Sequence, residues 1–150
     1  MKHTDQAVHF FRNGFNCSQS VLAAFSPVTD LSGDQCLRIA TAFGGGMGRQ
    51  QLTCGAVTGA LMVLGLKFGK ALHDPESNKV ETYLKANAFF REFRALHGSI
   101  TCCELLNGLD MNNPADMKKI NEQDMFKTHC AKYVRDAVEI TRKLIDAGDE

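Results

Sequence analysis

The chain has 150 residues, 44% of them hydrophobic, and its 17 basic side chains balance 17 acidic ones. That is enough apolar material for one core over residues 1–150 without disulfide staples, and the even charge, with no block of one sign, argues against nucleic acid or an anionic membrane as partner. The opening MKHTDQAVHFFRNG lacks the apolar centre of a signal peptide, and the longest apolar run, 60–66, is too short to cross a bilayer; the expectation is a cytoplasmic protein without membrane insertion.

Six cysteines (Cys17, Cys36, Cys54, Cys102, Cys103 and Cys130) then point to redox or metal chemistry more than to permanent cross-links, because a reducing compartment keeps thiols free. No CxxC pair occurs, which weighs against a thioredoxin-like site and a zinc ribbon.

In chain order, a first helix is expected from Thr4 or Asp5 to Gly14, burying Ala7, Phe10 and Phe11. Asn16 and Gln19 have the spacing of a capping box, which places Cys17 at the first helical position of FNCSQSVLAAF, on one face with Val21, Ala24 and Phe25. Ser32 and Gln35 form a second box ahead of a helix whose inward stripe is Cys36, Ile39, Ala40 and Phe43. Cys36 reads as a small core hydrophobe, the common fate of a free cysteine.

The stretch 44–69 organises the rest. A glycine-rich loop, GGGMGRQQLT, ends at Thr53, read as a helix cap with Cys54 as the first helical residue. Free N–H groups and the positive end of the helix dipole favour an anion there, which makes Cys54 the first candidate for an activated thiolate, with Arg49 as a further candidate to lower a thiol pKa. The loop lacks GK[ST] and GxGxxG spacing, so a nucleotide site is disfavoured. Beyond Cys54 the helix is apolar almost all round, with Gly55 and Gly59 on one ridge where another backbone can approach; it is expected to be the central rod of an all-α bundle.

Asp74 as cap and Pro75 in the first turn open a long helix ending at Gly98, with Tyr83, Ala86, Phe90, Phe93 and His97 as its inward stripe, flanked by Phe89 and Leu96. The five histidines show neither HExxH nor HxxxH spacing and read as surface or satisfied core residues. Thr101 and Glu104 suggest a third capping box, with Cys102 first and Cys103 second in the helix. Asn113 and Pro114 open a short segment, and a last helix from about Asp124 to Ala147, ended by Gly148, turns Phe126, Cys130, Tyr133, Ala137, Ile140 and Leu144 inward, leaving Cys130 in mid-helix. Strand patterns, internal repeats and linkers are absent, so the fold class is an all-α, single-domain compact bundle around a central glycine-containing helix.

Three cysteines thus follow cap residues into helix starts and a fourth faces inward from the last helix. FNCSQSVLAAF, FGGGMGRQQLTCGAVTGALMVLGLKFG, GSITCCELL and Cys130, taken in order, resemble the redox-active C_GCAxxG_C_C family, whose CGAxxG element stands here as Cys54, Gly55, Ala56, Val57, Thr58 and Gly59. The resemblance spans nearly the whole chain. It implies redox work on four cysteines, carried over by position as Cys17, Cys54, Cys102 and Cys130, and a setting often near transporter genes; Cys36 and Cys103 stand outside the pattern, though either of Cys102 and Cys103 can fill the third place.

Three readings follow. The first is a redox protein using thiol/disulfide or electron-transfer chemistry, with Cys54 as lead thiolate, Cys17, Cys102 and Cys130 as its partners, and an unidentified redox partner. The second is a four-cysteine metal module, with the same residues holding an iron–sulfur cluster or zinc, although the long gaps between them match neither ferredoxin nor zinc-knuckle spacing. The third is a non-catalytic helical interaction protein. A homodimer is the default assembly. The first two readings require Cys17, Cys54, Cys102 and Cys130 to meet in one pocket with Cys36 outside it.

Overall fold

The structure, a computed structural model described over residues 2–148, contains α1 (His3–Arg12), α2 (Cys17–Ala24), α3 (Gly33–Ala40), α4 (Gly55–Phe68), α5 (Glu76–His97), α6 (Cys102–Leu105), α7 (Pro114–Glu122) and α8 (Ala131–Gly148). No strand occurs among the described residues; an isolated antiparallel bridge joins Thr53 to Thr101. The fold class is all-α, as the sequence pattern requires.

Local capping explains the two starts that were read from spacing. The Asn16 side chain accepts the Gln19 N–H while the Gln19 side chain accepts the Asn16 N–H, both at 2.9 Å, and Ser32 and Gln35 repeat the exchange at the head of α3. Each box satisfies donors that the first helical turn would otherwise leave free.

Helix α4 is the centre of the bundle, packing against α2, α5 and α8, with Ala56, Val57, Ala60, Val63 and Leu64 sealed from solvent. The approach of α2 depends on the absence of side chains on α4. A Cβ at Gly59 would lie 2.8 Å from the Ser18 carbonyl oxygen and 3.0 Å from Val21 Cβ. At this close crossing the buried hydroxyls of Ser18 and Thr58 share a hydrogen bond of 3.2 Å, so neither is left unsatisfied in the core.

Several boundaries and faces differ from the sequence expectation. Helix α1 begins at His3, and Val8 is buried with Ala7, while Phe10 and Phe11 are only partly covered. In α5 only Phe89 and Phe93 are buried; Tyr83 is 59% and Leu96 61% exposed, because the N-terminal half of the helix contributes nothing to the core and Leu96 turns to the opposite face. Ile39 of α3 likewise faces solvent. Asp74 does not cap α5: its carboxylate accepts the Ala71 N–H within the preceding turn, and Pro75 occupies the cap position. The last helix starts at Met125, after Asp124 with its left-handed φ of 52°, and its first turn is π-helical, Phe126–Cys130, running directly into α8, so Cys130 lies within the helix on a widened turn. Gly148 still lies within α8.

The α2–α4 contact gives a direct test. Gly59→Ala is expected to lower stability by about 1–3 kcal/mol despite the better helix propensity of alanine, because the added methyl meets backbone that cannot yield. Gly65→Ala, which meets nothing within 4 Å, is expected to be stabilising by about 0.5–1 kcal/mol in the same urea titration.

Candidate functional site: a cavity lined by four thiols

The site is built from two loops that pair over a long sequence distance. Cys54 N–H donates to the Ile100 carbonyl at 2.8 Å and Cys102 N–H donates to the Leu52 carbonyl at 2.6 Å, on either side of the Thr53–Thr101 bridge. The sequence pattern marks both threonines as side-chain caps, but neither makes a capping hydrogen bond, and Cys54 itself is the N-cap residue of α4. The reason is that pairing uses the extended backbone of these residues and turns the role of cap over to the next position. Helix α6 is a single turn, with Cys102 at its start.

The glycine loop reaches this pairing through an unusual path. Residues 45–49 all have positive φ, and Gln51 follows with φ of 55°; Met47, Arg49 and Gln51 pay for this without the freedom of glycine, on the order of 1–2 kcal/mol each. Gln51 compensates. Its buried side chain donates to the Leu109 carbonyl and accepts the Met111 N–H, both at 2.8 Å, and Asn112 Nδ2 donates to the Arg49 carbonyl at 2.8 Å. Gly46 is needed for another reason as well: a Cβ there would fall 2.8 Å from Cys102 Cβ. The loop is therefore held open against the segment after α6, with Cys102 tucked against its backbone.

A cavity of about 930 Å³ opens between this loop, α2 and the π-helical turn. Cys17, Cys54, Cys102 and Cys130 all line it, whereas Cys36 and Cys103 do not. Cys36 is enclosed in the main core, where burial raises its pKa. All six cysteines are free thiols. Among the described residues no three Cys, His, Asp or Glu side chains gather at metal-ligating spacing, so a four-thiolate iron–sulfur or zinc centre would have to draw the cysteine side chains together.

The electrostatics weigh against the expectation that Cys54 is the activated thiolate. The N–H groups of Ala56 and Val57 at the start of α4 pull its pKa down, but burial outweighs them and pushes the thiol up to about 12. Burial, followed by the neighbouring thiols, likewise raises Cys102 to about 12. Cys17 and Cys130 behave as a pair: the interaction between their side chains raises Cys17 well above the ordinary value and lowers Cys130. The directions of the two shifts favour the charge on Cys130 and the proton on Cys17.

One family model matches residues 15–144, under the description "Putative redox-active protein (C_GCAxxG_C_C)". The chain belongs to this family. No curated protein and no solved structure matches it. The span covered by the C_GCAxxG_C_C match takes in all four cavity cysteines, the glycine loop and the bridge between Thr53 and Thr101.

Other residues of this C_GCAxxG_C_C protein's cavity were not legible as such. Tyr133, read only as core, lines the cavity and donates its hydroxyl to the Leu105 carbonyl at 2.7 Å, which ties α8 to α6; burial, then Cys130, pushes its pKa to about 12. Arg12 and Lys127, which also line it, carry no local motif. His97, behind Tyr133, lies with Nε2 2.9 Å from Asp136 Oδ2, and burial draws its pKa down against the carboxylate.

The order of titration can be measured by residue-resolved alkylation between pH 6 and 10. Because a lowered pKa puts more thiolate at a given pH, Cys130 is expected to react first, with Cys54 and Cys102 following only above pH 10. Cys17→Ala is expected to move the Cys130 midpoint upward, since the S–H donor is lost. Fastest labelling at Cys54 would restore the helix-terminus account.

Proposed function

We propose that this redox-active family member works by thiol–disulfide exchange, with Cys130 as the attacking thiolate and Cys17 as the resolving thiol. The observation that carries the reading is that Cys17 and Cys130 line one open cavity together with Cys54 and Cys102, with the mutual influence of Cys17 and Cys130 pushing Cys17 up and Cys130 down in pKa. Of two thiols facing one cavity, the one with the lowered pKa is the better nucleophile at neutral pH.

The exchange balances as follows. Cys130 thiolate attacks one sulfur of a small organic disulfide; a Cys130–substrate S–S bond forms, the substrate S–S bond breaks, and the first substrate thiolate leaves and takes up a proton. Cys17 then attacks the Cys130 sulfur, giving its proton to the second departing thiolate and closing a Cys17–Cys130 disulfide. Two electrons and the Cys17 proton have passed from protein to substrate, and solvent supplies the second proton. A dithiol reductant reverses the exchange, so the reading includes a reducing compartment such as the cytoplasm and a separate redox partner. Among the described residues no helix is long and apolar enough to cross a membrane. Cys54 and Cys102, which line the same cavity, are the further thiols within reach of the exchange.

Reduced protein treated with neutral 2-hydroxyethyl disulfide is expected to release about two equivalents of 2-mercaptoethanol per chain for the first bond formed, from the stoichiometry of exchange. Peptide mapping should then show a Cys17–Cys130 bridge, lost in Cys130→Ser and kept in Cys36→Ser. If no thiol is consumed, or if the bridge involves Cys36, the proposal fails.

A further inference from the structure

The charged residues that line the cavity carry one sign. The chain holds 17 acidic and 17 basic side chains, yet Arg12, Arg49 and Lys127 border the cavity and no Asp or Glu does. They come from three separate places, the end of α1, the glycine loop and the π-helical turn, so nothing local in the sequence clusters them. None forms an ion pair among the described residues, although other surface charges do, as where Arg142 meets Asp146 at 2.8 Å. All three are exposed, whereas Phe15, Met117 and Phe126 farther along the wall are partly covered and apolar.

A second observation points the same way. Gly46 is buried and lines the cavity, and its amide N–H donates to no backbone or side-chain acceptor among the described residues. A buried N–H left over by the protein is rare, because the loss of its water partner is costly unless something replaces it. An acceptor atom entering the cavity would do so.

We propose that the cavity binds a small organic anion with an apolar body, its carboxylate held by Arg12, Arg49 and Lys127 and its apolar part set against the aromatic and methionine wall. Volume agrees with this: about 930 Å³ is at the upper end of what small-molecule sites enclose. Guanidinium groups fit carboxylates through paired N–H donors, and low dielectric toward the cavity interior strengthens the attraction as the ligand enters. Resting on the exchange reading, the inference names the substrate class as anionic organic disulfides, which the cationic rim selects over neutral and cationic ones.

The test uses sulfur-free probes so that binding is read apart from thiol chemistry. Calorimetric titration of the reduced, full-length protein would compare biphenyl-4-carboxylate, biphenyl-4-carboxamide and 4-phenylbenzylamine. The carboxylate is expected to bind about tenfold more tightly than the amide, the preference shrinking with added salt as the exposed rim charges are screened. In Arg49→Gln/Lys127→Gln, whose fold is checked by circular dichroism, the preference should fall to about twofold or less; Arg12→Gln supplies an independent variant. Equal or tighter binding of the amide or the amine overturns the inference, as does no binding by any of the three. Oxidation by 2-hydroxyethyl disulfide without an anion preference would leave the exchange reading standing and remove this one, and an anion preference without oxidation would do the reverse.

Discussion

Two backbone segments, one ahead of α4 and one ahead of α6, meet antiparallel at Thr53 and Thr101, and the candidate site depends on that contact. Its flanking hydrogen bonds run from Cys54 N–H to the Ile100 carbonyl and from Cys102 N–H to the Leu52 carbonyl, so the bonds that join the segments are made by the cysteines themselves. A shift in register would move both thiols at once. The glycine loop supplies the approach, the Gln51 side chain anchors it to the segment after α6, and the close α2–α4 crossing brings Cys17 to the same wall.

That geometry also decides the electrostatics. A helix N-terminus stabilises a negative charge by about 0.3–2 kcal/mol, whereas a thiol moved from its ordinary value of 9 to about 12 favours the neutral form by about 4 kcal/mol. Burial wins for Cys54. At Cys130 the balance reverses, because a neighbouring thiol donates a hydrogen bond to the charged form and offsets the desolvation that otherwise raises its pKa. The same cavity thus holds thiols raised in pKa at two helix starts and, between α2 and the π-helical turn, a pair whose members shift in opposite directions.

The cationic rim completes a division of labour across the cavity. Exposed charges at the mouth act over the range of the salt-screened field, drawing an anion in, while the covered wall and the thiols act only on contact. Strain in the loop between them, five consecutive positive φ values, is kept by tertiary hydrogen bonds and would not survive in an isolated segment.

What the sequence determined by itself was local. The boxes at Asn16–Gln19 and Ser32–Gln35 form because both partners lie three residues apart, and the Gly59 approach follows from a ridge set by helical periodicity. The order of the cysteines around CGAxxG was enough to reach the family. Tertiary structure decided the rest. Thr53 and Thr101 have the side chains of caps, but pairing across nearly fifty residues took their backbone for the bridge, a choice that no window around either residue contains. Cys102 enters the cavity and Cys103 does not for the same reason, and Arg12, Arg49 and Lys127 share a rim only after three distant elements have packed. Thiol acidity belongs with these. It depends on desolvation and on which sulfur lies beside which, and both arise only when the chain has closed around the cavity.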